Sequence, residues 1–88
     1  MKSEKFNLDE VKELLKNTRW EFEQLTYVFK DDTLQISGKP TDVYDVVEDG
    51  DGQFFLNFKG EQLLIEQVDE QSLRINDKGK LVRLIRTA

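Results

Sequence analysis

The chemistry open to this chain of 88 residues is set first by two residue types that it lacks. The sequence contains no cysteine and no histidine, which excludes disulfides, thiolate metal sites, cysteine nucleophiles and imidazole acid–base catalysis. Carboxylates remain, but a glycosidase-type site needs two of them facing each other across a cleft. Acid pairs such as Asp31 with Asp32 and Asp69 with Glu70 instead accompany turn residues. We therefore predict a protein that is not an enzyme and needs no cofactor or metal.

Two acidic positions invite a more specific interpretation. The run Glu48–Gly52 suggests a calcium loop, but an EF-hand loop with Gly52 at its sixth position would begin at Val47 and end at Phe58. Neither side chain can ligate a cation, and Asp-Gly is typical of tight turns, so a turn is predicted here.

Asp45 shares strand parity with Val47. It either faces inward beside an arginine or points to solvent.

The first predicted element is a short helix over about residues 7–17. Asn7 is a favourable N-cap residue, and Glu10, three positions later, completes a capping-box pattern. An apolar stripe at helical spacing follows, made of Leu8, Val11, Leu14 and Leu15. A helix of about ten residues does not persist alone in water, so it must pack against an apolar surface.

From about residue 19 to residue 87 the pattern is that of short β-strands separated by turn residues roughly every ten positions. Counting Thr18–Phe29 as one bent strand, seven strands are predicted. Their connections are too short for parallel crossovers, which favours an antiparallel meander. Because open edges are a liability, we expect one mainly β domain, a small barrel with the helix at its N-terminus. The alternative is an α+β open sheet with the helix on one face.

The stretch Thr18–Phe29 changes phase, since its large residues move from even to odd positions. A β-bulge between Phe22 and Leu25 would produce this shift. Trp20 would then be buried at the floor of the barrel and anchor the arriving helix. The bulk of the inward residues further predicts a filled core with, at most, a shallow mouth.

The order of these elements resembles that of the bacterial lipocalin-like domains. A helix leads into a Trp-bearing first strand over Leu14–Trp20, with Thr18 where the family has glycine, and the hairpin Val68–Leu73 and the last strand Lys80–Arg86 match the family's closing pattern. The resemblance implies a non-enzymatic binding domain. Together with the aromatic-rich strands, it predicts a site for a small apolar ligand lined by Trp20, Phe22 and Tyr27.

The alternative function is a protein-interaction or self-association module, homodimeric or with another protein, that uses an exposed edge of the last strand near Arg83, Arg86 and Thr87. Aromatic residues alternate with acids and amides, and the net charge is −5, so no nucleic-acid partner is expected. The polar start and the absence of a long apolar run predict a cytoplasmic protein with no membrane span. A chain from which a signal peptide had been removed would look the same.

Charge is unevenly distributed along the sequence. Residues 1–73 contain 17 acids and 8 bases, whereas residues 74–88 contain five bases and one acid, Asp77. A basic terminal strand could meet an anion or a phosphate backbone. The simpler expectation is that it lies beside acidic strands and balances their charge across the sheet.

Overall fold

The computed structural model describes residues 7–88, which form one helix and eight strands. Helix α1 spans Leu8–Leu15 and begins with the predicted capping box, since the Asn7 side chain accepts from the Glu10 amide and the Glu10 carboxylate accepts from the Asn7 amide, both at 2.9 Å. The strands are β1 Thr18–Phe22, β2 Leu25–Phe29, β3 Thr33–Ile36, β4 Asp42–Glu48, β5 Phe54–Phe58, β6 Glu61–Val68, β7 Ser72–Asp77 and β8 Lys80–Arg86.

The strands form a closed antiparallel barrel in which each strand pairs with the next in sequence. The ring closes where β1 meets β8, with Trp20 opposite Arg86 and Glu21 opposite Ile85. The prediction of a mainly β chain with one N-terminal helix and a small barrel is confirmed. Closure also excludes the alternative of an open sheet.

The predicted number of strands is wrong by one, because the bent first strand is a hairpin of two strands. Phe22 lies opposite Leu25, and Glu23 and Gln24 form the connection between β1 and β2. Every pair in this hairpin joins an even-numbered residue to an odd-numbered one, as Trp20 to Tyr27. The change of phase therefore comes from the reversal of the chain and not from a β-bulge.

The connections divide the barrel into two ends. The hairpin end carries the connections 23–24, 37–41, 59–60 and 78–79, whereas the helix end carries α1 and the connections 30–32, 49–53 and 69–71. Lys59-Gly60 and Lys78-Gly79 have positive φ at both residues, as two-residue hairpin turns of type I′ require. These tight turns hold the strand ends close around the barrel axis.

The core draws apolar side chains from the helix and from all eight strands. The buried members are Val11, Leu15, Trp20, Tyr27, Phe29, Leu34, Ile36, Val46, Leu56, Phe58, Leu63, Ile65, Val68, Leu73, Ile75 and Leu84. Inward and outward residues alternate along most strands, as in β7, where Leu73 and Ile75 are buried between half-buried neighbours. In β6 the pairing with β7 shifts register between Ile65 and Gln67. That bulge keeps Val68 facing inward.

Trp20 fixes the helix to the barrel floor. Its side chain is 0% exposed, which confirms the predicted burial. The indole Nε1 donates to Thr18 Oγ1 at 2.7 Å, and the Thr18 hydroxyl donates to the carbonyl of Leu15, the last residue of α1. Threonine at position 18 thus connects the first strand to the helix, a role that glycine, which has no side chain, could not perform.

Helix α1 has eight residues. No helix in the described part of the chain has the length and apolar character needed to cross a membrane.

Candidate functional site

A cavity opens into the barrel at the hairpin end. Its volume is about 360 Å³, and its wall comes from β2, β3, β5, β6, β7 and β8, so that it lies on the barrel axis. We call it the mouth cavity. Its apolar lining is Leu25, Tyr27, Ile36, Phe58, Leu63 and Val82, and its polar rim is Ser37, Lys39, Lys59, Glu61, Asp77 and Lys80. The apolar residues face inward at strand ends beside the turns, at the end of the barrel opposite α1.

Tyr27 supplies a polar group to the mouth cavity. The side chain is 3% exposed, and burial, followed by the negative charge of Asp77, raises the pKa of Tyr27 to about 12. The phenol therefore stays protonated at neutral pH and can donate a hydrogen bond. Phe29 packs behind it, with ring centroids 6.2 Å apart.

The two ends of the barrel differ in charge. The helix-end connections carry six acids (Asp31, Asp32, Asp49, Asp51, Asp69 and Glu70) against one base, Lys30, whereas the hairpin-end connections carry three lysines (Lys39, Lys59 and Lys78) against one acid, Glu23. Ion pairs at the hairpin end are long: 3.7 Å from Lys59 to Asp42 and 3.9 Å from Lys78 to Glu61. Such exposed pairs contribute little. The lysines are therefore available to a ligand that carries negative charge.

Of the three predicted ligand-binding residues, the structure places one in the mouth cavity. Tyr27 lines it. Trp20 is fully enclosed beside the helix, and Phe22, at the β1–β2 turn, is 47% exposed and outside the lining. The structure thus does not bring the three residues together. The missed apolar residues were Leu25, Ile36, Phe58, Leu63 and Val82, for which inward parity beside a turn was the available signal.

A second concavity lies at the helix end, with a volume of about 570 Å³. Its lining comes from Val11, the β4–β5 connection, Phe54 and the stretch Leu64–Asp69. It exists because β6 runs past β5: Phe54 opposite Ile65 is the last pair of their ladder. Because its wall is built from one side of the barrel, this groove encloses a ligand less completely than the mouth cavity does. It also lies beside the acidic loops.

The acidic candidates serve the backbone. Asp45 is exposed, and its Oδ1 accepts from the Val46 amide at 2.9 Å, so the inward orientation is wrong. Asp49 Oδ1 accepts from the amides of Asp51 and Gln53, at 2.8 and 3.0 Å. This geometry is that of the predicted turn.

The last strand does not present the exposed edge expected at Arg86 and Thr87. The Arg86 amide donates to the Gln71 carbonyl at 2.9 Å, and the Thr87 amide donates to the Arg19 carbonyl at 2.8 Å. Closure of the barrel has used the hydrogen-bonding groups that an added strand would need. The expected charge balance is incomplete, since Lys80 lies opposite Asp77 but Arg74 lies opposite Arg83.

Comparisons with protein-family models, with curated proteins and with solved structures find no match for this chain.

Proposed function

We propose that this chain is a non-enzymatic binding domain of lipocalin-like type that takes a small apolar ligand in the mouth cavity. The observation that carries the proposal is the ring of inward apolar side chains around a cavity on the barrel axis. In small barrels the interior is either filled or holds one small ligand. Here part of the buried core, including Trp20, fills the floor, and other buried residues such as Phe58 and Leu63 line the cavity at the hairpin end.

The size and lining of the mouth cavity suit a small ligand with one polar end. Ligand sites typically have volumes of roughly 300–1,000 Å³ and combine apolar walls with a few polar groups, and about 360 Å³ lies near the lower limit. Tyr27 can donate a hydrogen bond within the cavity, and lysines stand at the rim. We expect short acyl chains and single aromatic rings with a carboxylate to enter, and haem to be too large.

The experiment is a ligand screen by amide NMR spectroscopy with fatty acids of increasing length, retinoids and haem. Binding in the mouth cavity should shift the amide signals of residues around Ile36, Phe58 and Val82 and leave those of α1 unchanged. Trp20 fluorescence is a weak reporter, because this side chain is enclosed at the floor.

A matched pair of substitutions tests the location. Val82→Trp places a large ring in the cavity lining, whereas Val43→Trp places the same ring on the outside, where Val43 is 62% exposed. We expect Val82→Trp to abolish binding and Val43→Trp to preserve it. Equal binding by both variants, or no shift near the cavity with any compound, would contradict the proposal.

A further inference from the structure

The outer face of β7 and β8 carries a surface that combines positive charge with exposed apolar groups. Arg74 of β7 lies directly opposite Arg83 of β8. Leu81 and Ile85 lie two positions to either side of Arg83, on the same face of the strand, and are 47% and 55% exposed. We call Arg74, Leu81, Arg83 and Ile85 the arginine patch.

The two arginines of the patch lack a neutralising partner within residues 7–88. Neither forms an ion pair there, and Arg74 Nε is buried without a hydrogen-bond acceptor. Like charges directly opposite in a sheet are destabilising, and a buried polar group without a partner is rare enough to require an explanation. A chain with a net charge of −5 has ample acids with which to avoid both costs.

Acids on the neighbouring strands bind other groups. Glu66 of β6 accepts a hydrogen bond from Asn76 Nδ2 at 2.9 Å. Glu21 of β1, opposite Ile85, pairs with Arg19 at 2.8 Å. Within residues 7–88, neither Glu66 nor Glu21 forms an ion pair with Arg74 or Arg83.

We propose that the arginine patch docks an acidic peptide segment of a partner protein, one that alternates carboxylates with apolar side chains. Guanidinium groups bind carboxylates through paired, charge-assisted hydrogen bonds, and Arg83, which is exposed, can form such a pair with the segment. Apolar side chains of the segment would cover Leu81 and Ile85. The proposal uses a surface separate from the mouth cavity and does not depend on its ligand.

Charge decides between this partner and two others. A two-fold dimer through the same face would bring four arginines together, two from each copy, which repel each other. An extended anionic membrane would attract the patch, but it would also approach the acids of the helix-end connections. A peptide segment contacts the patch alone, so it gains the attraction without the repulsion.

The experiment measures fluorescence anisotropy of a labelled peptide of alternating glutamate and leucine, titrated with the whole chain. We expect saturable binding that weakens at least tenfold between about 50 and 200 mM salt, since several charges are paired, and no binding of the matching lysine–leucine peptide. Arg83→Gln should weaken binding about tenfold. Lys30→Gln, which removes an exposed base at the helix end, should leave it unchanged.

A melting curve separates docking from a structural role. Removing one of two facing like charges should leave the melting temperature of Arg83→Gln equal to that of the wild type or raise it. A lower melting temperature, or peptide binding equal to that of the wild type, would overturn the proposal. So would no binding of the acidic peptide, tighter binding to vesicles containing phosphatidylserine, or a dimer that Arg83→Gln dissociates.

Discussion

Replacing Thr18 by valine should destabilise the barrel although the two side chains have nearly the same shape. Thr18 is buried, and its hydroxyl oxygen is the acceptor for the Trp20 indole. Valine would leave the indole N–H buried without a partner and would remove the donor to the Leu15 carbonyl. An unsatisfied buried group costs about 1–3 kcal/mol. Since a domain of this size has about 5–10 kcal/mol of stability in total, the loss is easily measured.

The assay is equilibrium unfolding in urea, followed by far-ultraviolet circular dichroism. Thr18→Ser keeps the hydroxyl and loses one methyl group, which costs about 0.8 kcal/mol, so it is the matched control. A cycle with Trp20→Phe isolates the hydrogen bond: once the indole is absent, Thr18→Val should cost about 1–2 kcal/mol less than in the wild type. Additive costs, or a cost of Thr18→Val below that of Thr18→Ser, would refute the role assigned to this hydroxyl.

Three further predictions concern a turn and two titrating groups. Lys78→Asn should raise the free energy of unfolding, measured in urea, by about 0.5–1 kcal/mol, because Lys78 has a φ of 55° and asparagine adopts positive φ more readily than lysine does. The control Lys30→Asn, at a residue without positive φ, should leave the free energy of unfolding unchanged. Hydrogen bonds from backbone amides lower the pKa of Asp69, so the carboxylate contributes to folding stability above about pH 4, and this contribution is lost as the pH falls further. Between pH 6 and pH 3, the urea midpoint should therefore fall less steeply for Asp69→Asn than for the wild type. Because the pKa of Tyr27 is raised to about 12, the protonated phenol contributes fully to folding stability below about pH 10, and this contribution is lost as the pH rises toward 12. The melting temperature of Tyr27→Phe should therefore fall less between pH 10 and pH 12 than that of the wild type.

The elements that local chemistry determines could be predicted from the sequence. The helix start depends on Asn7 and Glu10, which are three residues apart and meet across the first turn, and the predicted capping box is present. The antiparallel order followed from short connections. The β1–β2 hairpin was missed because its turn contains neither glycine nor asparagine: Glu23 adopts a φ of 55°, and nothing in its residue type indicates this.

The candidate site was predicted less well, because its position depends on which end of the barrel the helix covers. Trp20 was expected to line the site, but its hydrogen bond to Thr18 holds it beneath α1. By contrast, residues at equal distances from the two-residue turn Lys78-Gly79 lie opposite each other, and this places Arg74 opposite Arg83. The pairing register of strands is thus predictable near tight turns, whereas the end of the barrel that holds the cavity is not.

Closure of the ring between β1 and β8 has a consequence for folding kinetics. Every other ladder joins strands that are neighbours in sequence, whereas this one joins the first strand to the last through only two pairs of residues. Bringing such distant segments together costs more chain entropy than forming a hairpin, so the hairpins should form first and the seam last. A substitution that weakens the seam, such as Glu21→Pro, should then accelerate unfolding in stopped-flow experiments while leaving the refolding rate nearly unchanged. The lifetime of the closed barrel is accordingly set at the ladder that joins the two ends of the chain.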